Sequence, residues 1–421
     1  ILRMAEKCNG SGDCRKLPNS GGGTMCPSYQ ATRYEKDTTR GRANTLREFL
    51  TNSHKKNPFD HPEIKEVMDL CLSCKGCTSE CPSNVDMATL KAEFQFQYYK
   101  SHGVPLRSKA FAYINKLNGL GSRVPGITNF FLTNGVMGSA LKKILGVAPQ
   151  RNLPTISKQS LRQWYRKSYA QLTGKPIIKS VYFFCDEFTN HNDTAIGIKA
   201  IKLLRHLGYE VKMIDHGESG RGAISKGLLD YAQKMAERNV KLFSGLVSSE
   251  SPLIGLEPSA ILSFRDEYPR LVGKEWREKA KSMKFHCDMI EEYLAKEIIA
   301  GNISSEDFTK EEKFIQLHGH CHQKALSSVN YSRKILELPE NYKVNVIPSG
   351  CCGMAGSFGY EKEHYSLSMQ IGEMVLFPAV RDAEEDNLIA APGTSCRHQI
   401  KDGTGKSAQH PVEILFEALK K

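Results

Sequence analysis

Residues 71–82 read CLSCKGCTSECP, which places Cys71, Cys74, Cys77 and Cys81 in the spacing CxxCxxCxxxCP. In such a run three closely spaced thiolates hold one iron–sulfur cluster, and the fourth, ahead of a proline (here Pro82), reaches across to another. Structural zinc usually uses two separated CxxC pairs, so the run is read as iron–sulfur. The chemistry expected of these ligands is one-electron transfer.

Three of these cysteines need a fourth ligand, and Cys81 needs three others. Residues 8–27, CNGSGDCRKLPNSGGGTMCP, read as an altered copy of the same motif. Cys8 and Cys14 match its first and third cysteines, Cys26 precedes Pro27 as the fourth should, and Ser11 stands where the second belongs. The crossover rule then joins Cys26 to Cys71, Cys74 and Cys77 as a complete [4Fe–4S] site and leaves Cys8, Cys14 and Cys81 as three thiolates for a second cluster. Three ligands suit a three-iron cluster, or a four-iron cluster whose last iron takes a hydroxyl, carboxylate or water; Ser11 and Asp13 are the local candidates. The alternative is an empty site whose cysteines are buried packing residues. Between Cys14 and Cys26 lies a loop containing Gly21, Gly22 and Gly23, longer than the three-residue spacer of an intact motif.

The 421 residues, 40% hydrophobic, suffice for two or three domains and predict a water-soluble chain. Thirteen cysteines, seven of them in iron–sulfur spacing and none preceded by an apolar signal peptide, fit a reducing cytoplasm. Ile1 in place of an initiator methionine, with a cysteine motif beginning seven residues later, fits a piece of a longer polypeptide. The net charge of +12 is regional: residues 94–185 hold no Asp or Glu but fourteen Lys and Arg, and removing those from the 58 basic residues leaves 44 against 46 acidic ones elsewhere. A surface of this kind suits an acidic partner domain or anionic lipid headgroups, with a solvated linker face as the plain alternative. Nucleic acid is not expected as a partner, since no helix-turn-helix, zinc-finger or RNP-type pattern is present. Val124 to Leu141 is free of charge over eighteen positions, but Pro125, Gly126, Asn129, Asn134, Gly135 and Gly138 interrupt it. It therefore reads as a core or docking segment, with a shallow interfacial one as the alternative to a membrane span.

Beyond Lys175 the pattern becomes strand, loop and helix, and it occurs twice. VYFFCDEF (181–188) parallels FIQLHGHCH (314–322), GYEVKMIDHGESG (208–220) parallels NYKVNVIPSGCCG (341–353), and the segments starting at Leu256 and Ala391 correspond. Where the second copy has Cys321, Cys351, Cys352 and Cys396, the first has Cys185, Glu218, Ser219 and Ala260. Ligands of α/β lobes collect beyond the carboxyl ends of the strands, where these cysteines are expected. His318, His320, His322 and His398 surround them, so a pocket for zinc, mononuclear iron or an iron–sulfur cluster is predicted, with His320 and His322 set beside the four cysteines as its ligands. Helix-capping histidines and buried packing cysteines form the competing reading.

These motifs resemble, over nearly the whole chain, a twin-cluster α-helical ferredoxin domain followed by a duplicated α/β cysteine-rich (CCG) domain. The C-terminal resemblance is carried by HCH at 320–322, CCG at 351–353 and GTSC at 393–396. Glycolate oxidase, anaerobic glycerol-3-phosphate dehydrogenase and heterodisulfide reductase have similar iron–sulfur subunits. CNGSGDCRK (8–16), MCPSY (25–29) and TRGRAN (39–44) resemble the part of flavin-linked D-lactate and D-2-hydroxyglutarate dehydrogenases that follows their flavin domain.

The resemblance implies a ferredoxin-like domain at 1–105, a basic helical linker at 106–175, and CCG-type lobes at 176–305 and 306–421. It further implies an electron-transfer module of a flavin-dependent 2-hydroxyacid dehydrogenase, with FAD on a separate domain or subunit, a quinone or cytochrome as acceptor, and a peripheral contact with the inner membrane. The first lobe departs from CCG at Glu218-Ser219-Gly220, and the final CxxC is replaced by Cys396-Arg397-His398-Gln399, so a paired non-cubane cluster lacks thiolates. A heterodisulfide-reductase-like enzyme, or a catalytic metal pocket in the second lobe, is the alternative. Arg40 and Arg42 are read as a solvated helix start rather than anion contacts.

Overall fold

The structure is a computed structural model describing residues 1–18 and 23–420; Gly21 and Gly22 of the expected long loop lie outside the described residues. All the strands among them lie beyond residue 178. In the N-terminal part, helices Thr39–Asn52, Pro62–Asp69, Gly76–Glu80 and Met87–His102 surround the cysteines. Three of them begin where the sequence supplies a start. Thr38 Oγ1 accepts from the Gly41 amide at 2.8 Å, Pro62 occupies the first turn, and Asp86 Oδ1 accepts from the Thr89 amide at 3.1 Å. Apolar side chains from these helices, including Leu46, Ile64, Met68, Leu90 and Phe94, pack around Cys14, Cys26, Cys71 and Cys77.

The basic segment is helical. Its long uncharged stretch is broken at Asn134 into helices Pro125–Thr133 and Gly135–Leu145, because the Asn134 side chain caps the second by accepting from the Val136 and Met137 amides. Among the described residues no helix is long and apolar enough to cross a membrane.

Two parallel sheets follow. The first has strands β1 (Lys179–Phe184), β2 (Tyr209–Lys212), β3 (Leu253–Gly255) and β4 (Cys287–Met289) in the order β2-β1-β3-β4. The second has β5 (Lys313–Leu317), β6 (Tyr342–Val346) and β7 (Leu388–Ala390) in the order β6-β5-β7. The paired sequence segments fall on β1 and β5, on β2 and β6, and just after β3 and β7, so the two sheets share one central pattern and β4 extends only the first. Parallel strands need helical crossovers that bury both faces. The helix Thr194–His206 accordingly packs on Pro411–Glu417, and Val181, Phe183 and Ile254 share a core with Ile315, Leu317 and Leu415.

Candidate iron–sulfur and thiol site

Cys26, Cys71, Cys74 and Cys77 line a single cavity together with Thr39, Arg42, Lys75 and Met87. Between the cysteines of the run, Ser73 and Lys75 adopt left-handed backbone (φ 52° and 65°), an unusual conformation for residues bearing a Cβ, which turns the loop around that cavity. Amides point at the sulfurs: Thr39 N–H lies 3.1 Å from Cys26 Sγ, and Met87 N–H 3.3 Å from Cys77 Sγ. Burial, the largest influence, pushes the Cys26 thiol up to about 12 against the opposing pull of Arg42 and Thr39, and it also raises Cys74 and Cys77. Three such thiolates are stable at neutral pH only with a cation among them, and an iron–sulfur cluster supplies one. The surroundings fit the net negative charge of a cluster with four thiolate ligands: Arg42 and Lys91 are buried nearby, and Lys91 Nζ donates to the carbonyls of Asp69 and Cys71, whereas the buried Lys75 ammonium is paired with Asp86, Asp266 and Glu267. Arg42 is thus no solvated helix residue. It donates to the carbonyls of Val67 and Asp37 and to Ser28 Oγ, whereas Arg40 pairs with Glu35 at 2.8 Å.

The remaining three cysteines border the same core. Cys14 is buried in the turn Asp13–Arg15, while Cys8 and Cys81 are half-buried against that core. Ser11 and Asp13, the local candidates for a fourth ligand, stand in the segment around that turn, with Asp13 exposed. Cys14 is also close enough to raise the Cys26 thiol. Glu80, to which sequence reasoning gave no role, ties the two halves of the motif together. Its carboxylate accepts from the amides of Thr24 (2.6 Å) and Met25 (3.2 Å) and from Lys16 Nζ (2.9 Å).

The second sheet carries the other sulfur site. Cys321 opens helix Cys321–Leu326 beyond β5, Cys351 and Cys352 follow β6, and Cys396 lies on the helix after β7; all four are buried. Their thiols form a chain. Cys351 interacts with Cys321 and Cys352, and Cys352 with Cys396 and His318. The hydrogen bond from Cys351 is the largest cause bringing Cys321 down to about 6, and the same donor, aided by Cys396 and His318, holds Cys352 well below an ordinary thiol. Ligand atoms of His318, Cys352 and Cys396 lie within 4.8 Å of one another. His318 Nδ1 is 2.7 Å from Ser349 Oγ, and its buried Nε2 has no well-formed hydrogen bond. An imidazole nitrogen that faces two thiols and no other partner is a soft donor set that fits zinc or iron.

Of the histidines expected as ligands, neither His320 nor His322 joins that trio. His320 Nδ1 caps the helix by accepting from the His322 amide at 3.1 Å, as the competing reading had it, and His322 Nε2 lies 3.1 Å from the Ser73 carbonyl. These ring nitrogens are committed to the backbone, so His318 takes the place beside the sulfurs. His398 Nδ1 lies 2.9 Å from the Tyr360 hydroxyl. Lys324 had no place in the sequence reading: its buried ammonium donates to the carbonyls of Ser349 and Gly350, and the nearby thiols oppose the lowering of its pKa that burial causes. Two glycines are obligatory here. A Cβ on Gly353 (φ 94°) would sit 2.2 Å from the Ser368 carbonyl, and one on Gly350 would sit 2.7 Å from the Gly23 carbonyl.

That last contact marks a junction which sequence alone did not reveal. Cys74 packs in one cluster with Cys321 and Cys351, and helix Gly76–Glu80 lies against Cys321–Leu326. After burial, Cys321 is the strongest influence raising Cys74.

The corresponding part of the first sheet holds oxygen donors. Ser219 donates through Oγ (2.7 Å) and its amide (3.0 Å) to Glu187, Tyr231 donates to Glu218, and Ala260 is core. Burial first, then the neighbouring Glu218, raises the Glu187 carboxyl. Cys185 Sγ faces Asn190 at 3.6 Å, away from the other thiols.

The cysteine geometry and its amide and cation shell fit an iron–sulfur cluster. In agreement, residues 7–86 match the family of 4Fe–4S dicluster domains. The chain is 26% identical to D-2-hydroxyglutarate dehydrogenase of Escherichia coli K12, over 99% of its own length but 44% of that protein's. It is also 26% identical to the C subunit of the anaerobic glycerol-3-phosphate dehydrogenase of the same organism (75% of this chain, 77% of that one) and 22% identical to its glycolate oxidase iron–sulfur subunit (94% and 91%). No solved structure gives a significant match. The chain therefore spans less than half the length of the D-2-hydroxyglutarate dehydrogenases it matches.

Proposed function

We propose that the chain is the iron–sulfur electron-transfer module of a flavin-dependent 2-hydroxyacid dehydrogenase, of the D-2-hydroxyglutarate, D-lactate or glycolate type. FAD would sit on a separate domain or subunit, and a quinone or cytochrome would accept the electrons. Its parts would be a ferredoxin-like unit at 1–105, a basic linker at 106–175, and CCG-type lobes at 176–305 and 306–421. Cys26, Cys71, Cys74 and Cys77 would hold a [4Fe–4S] cluster, Cys8, Cys14 and Cys81 a second, and Cys321, Cys351, Cys352 and Cys396, with His318, a further metal or cluster. Bound there, such a group takes up and releases single electrons.

The observation that carries this reading is that Cys74 shares one buried cluster with Cys321 and Cys351 and lies close enough to Cys321 to be raised by it, which sets the two sulfur sites side by side. The chain's own residues set the environment. Thr39 and Met87 amides and the Arg42 and Lys91 cations favour the reduced, more negative state. The test is anaerobic purification with iron and acid-labile sulfide quantified per chain, and electron paramagnetic resonance before and after dithionite. At least about four iron and four sulfide with a reduced-state signal are expected. Absence of both after anaerobic reconstitution would sink the proposal.

A further inference from the structure

Ser73 and Lys75, the two left-handed residues of the cysteine run, flank Cys74, and each is held by a different lobe. The second lobe reaches Ser73, whose carbonyl lies 3.1 Å from His322 Nε2. The first lobe reaches Lys75. Its ammonium, 1% exposed, pairs with Asp266, 191 positions along the chain, with Glu267 at 3.3 Å, and with Asp86 of the N-terminal helices at 3.4 Å. Those carboxylates are shared: Arg270 pairs with Asp86 at 2.7 Å and with Asp266, and Arg221 pairs with Glu267. Three cations thus meet three carboxylates, each carboxylate touches two of the cations, and the first lobe supplies Arg221, Asp266, Glu267 and Arg270. An apolar seal accompanies the ions, since Ala92 of helix Met87–His102 packs in one buried cluster with Ala223, Ile224 and Ala232 of that lobe.

Left-handed backbone suits glycine, and a lysine there is strained. Conformation alone therefore does not account for the residue between Cys74 and Gly76, whereas the partners of its ammonium do. A buried ion pair is weak evidence for stability, because desolvation offsets much of the attraction, yet breaking one leaves a buried charge uncompensated and is strongly unfavourable. A fully paired set consequently specifies geometry. The geometry specified here is that of Cys74, which shares a buried cluster with Cys321 and Cys351.

We propose that the first lobe, which carries carboxylates where the second carries thiols, is the electrostatic clamp of the cysteine loop. Lys75, gripped by Asp266 and Glu267, is a positioning residue that fixes Cys74 beside the second sulfur site and keeps the charge next to the first site balanced. The potential arm of this proposal rests on the reading of Cys26, Cys71, Cys74 and Cys77 as ligands of a [4Fe–4S] cluster. The test compares K75M, K75G and E267Q with the parent in the full chain, purified anaerobically, by iron content, redox titration followed by electron paramagnetic resonance, and amide hydrogen exchange. K75M leaves a negative charge unpaired and should lower the reduced-to-oxidised ratio at a fixed potential by about tenfold; E267Q leaves a positive charge unpaired and should raise it by about as much. Both should speed amide exchange across residues 72–78 by about tenfold or more. K75G, which relieves the backbone, should behave like K75M, and E267Q supplies both readouts if the Lys75 variants fold poorly. A parent chain without iron sinks the cluster reading alone, and exchange still judges the clamp. Potentials that K75M and E267Q shift in the same direction or not at all, exchange that neither variant changes, or a K75G chain that matches the parent would each overturn the clamp.

Discussion

The two sheets set their central strands in the same order, β2-β1-β3 and β6-β5-β7, yet opposite chemistries stand at the ends of those strands. Beyond the first sheet Ser219 and Tyr231 satisfy Glu187 and Glu218 by hydrogen bonds; beyond the second, Cys321, Cys351, Cys352 and Cys396 crowd together beside an imidazole nitrogen with no well-formed hydrogen bond. A carboxyl raised by burial can remain protonated and share its proton with neighbours, so it needs no ion. Clustered thiols make only weak hydrogen bonds, and their natural partner is a soft metal. The backbone pattern is common to both, and the donor atoms alone decide whether a lobe carries a closed polar network or a candidate redox centre.

The second sheet also owes its role to position. Its cysteine loop, not that of the first sheet, meets the N-terminal cavity, through Cys74 and through the close approach of Gly350 to the Gly23 carbonyl. Cys77→Ser should have the largest effect. It removes a wall of the N-terminal cavity, so most of the iron and sulfide and the reduced resonance signal should vanish, as measured by iron analysis and spectroscopy of anaerobic protein.

Cys352→Ala sharpens the contrast between the sheets. Metal affinity in the second lobe should fall by more than about 100-fold, read by metal analysis after dialysis, while the N-terminal iron is retained. If the variant keeps all its metal, the thiol cluster is packing only.

On the first sheet, Ser219→Ala should leave iron content unchanged and lower stability by about 1–3 kcal/mol, because Glu187 loses a buried hydrogen-bond donor; denaturant titration reads this. Loss of iron in that variant would break the division of labour between the lobes.

The smallest effect is a pH dependence where the second lobe meets the N-terminal helices. Burial lowers the His364 pKa, but Asp69 at 3.4 Å and Glu361 at 2.9 Å outweigh it, so the net shift is upward; Lys226 and Arg107 face the same Glu361. A raised histidine adds stability that is fully present below its unfolded pKa of about 6.5 and is lost as pH rises through the higher folded value. Melting temperature should therefore drop as pH rises above about 6.5, and His364→Gln should flatten that slope.

Spacing by itself determined much of this protein. The run from Cys71 to Cys81, with Cys26 ahead of Pro27, specified four cysteines that line one cavity, since cluster ligation constrains cysteine spacing more tightly than packing does. Apolar positions likewise marked β1, β2, β5 and β6, β1 as a nearly continuous run and β2 and β6 as alternating apolar and polar residues, because an edge strand of a sheet buries one face more than the other. Only the tertiary structure decided the rest. It chose His318 over His320 and His322, because a ring nitrogen's partner depends on where the backbone of a distant loop passes, as Ser73 does beside His322. It placed Cys74 against Cys321, far apart in the chain, and it turned the apolar faces of helices 125–133 and 135–145 outward. Local sequence fixes what a side chain can do, but long-range packing fixes which neighbour it meets.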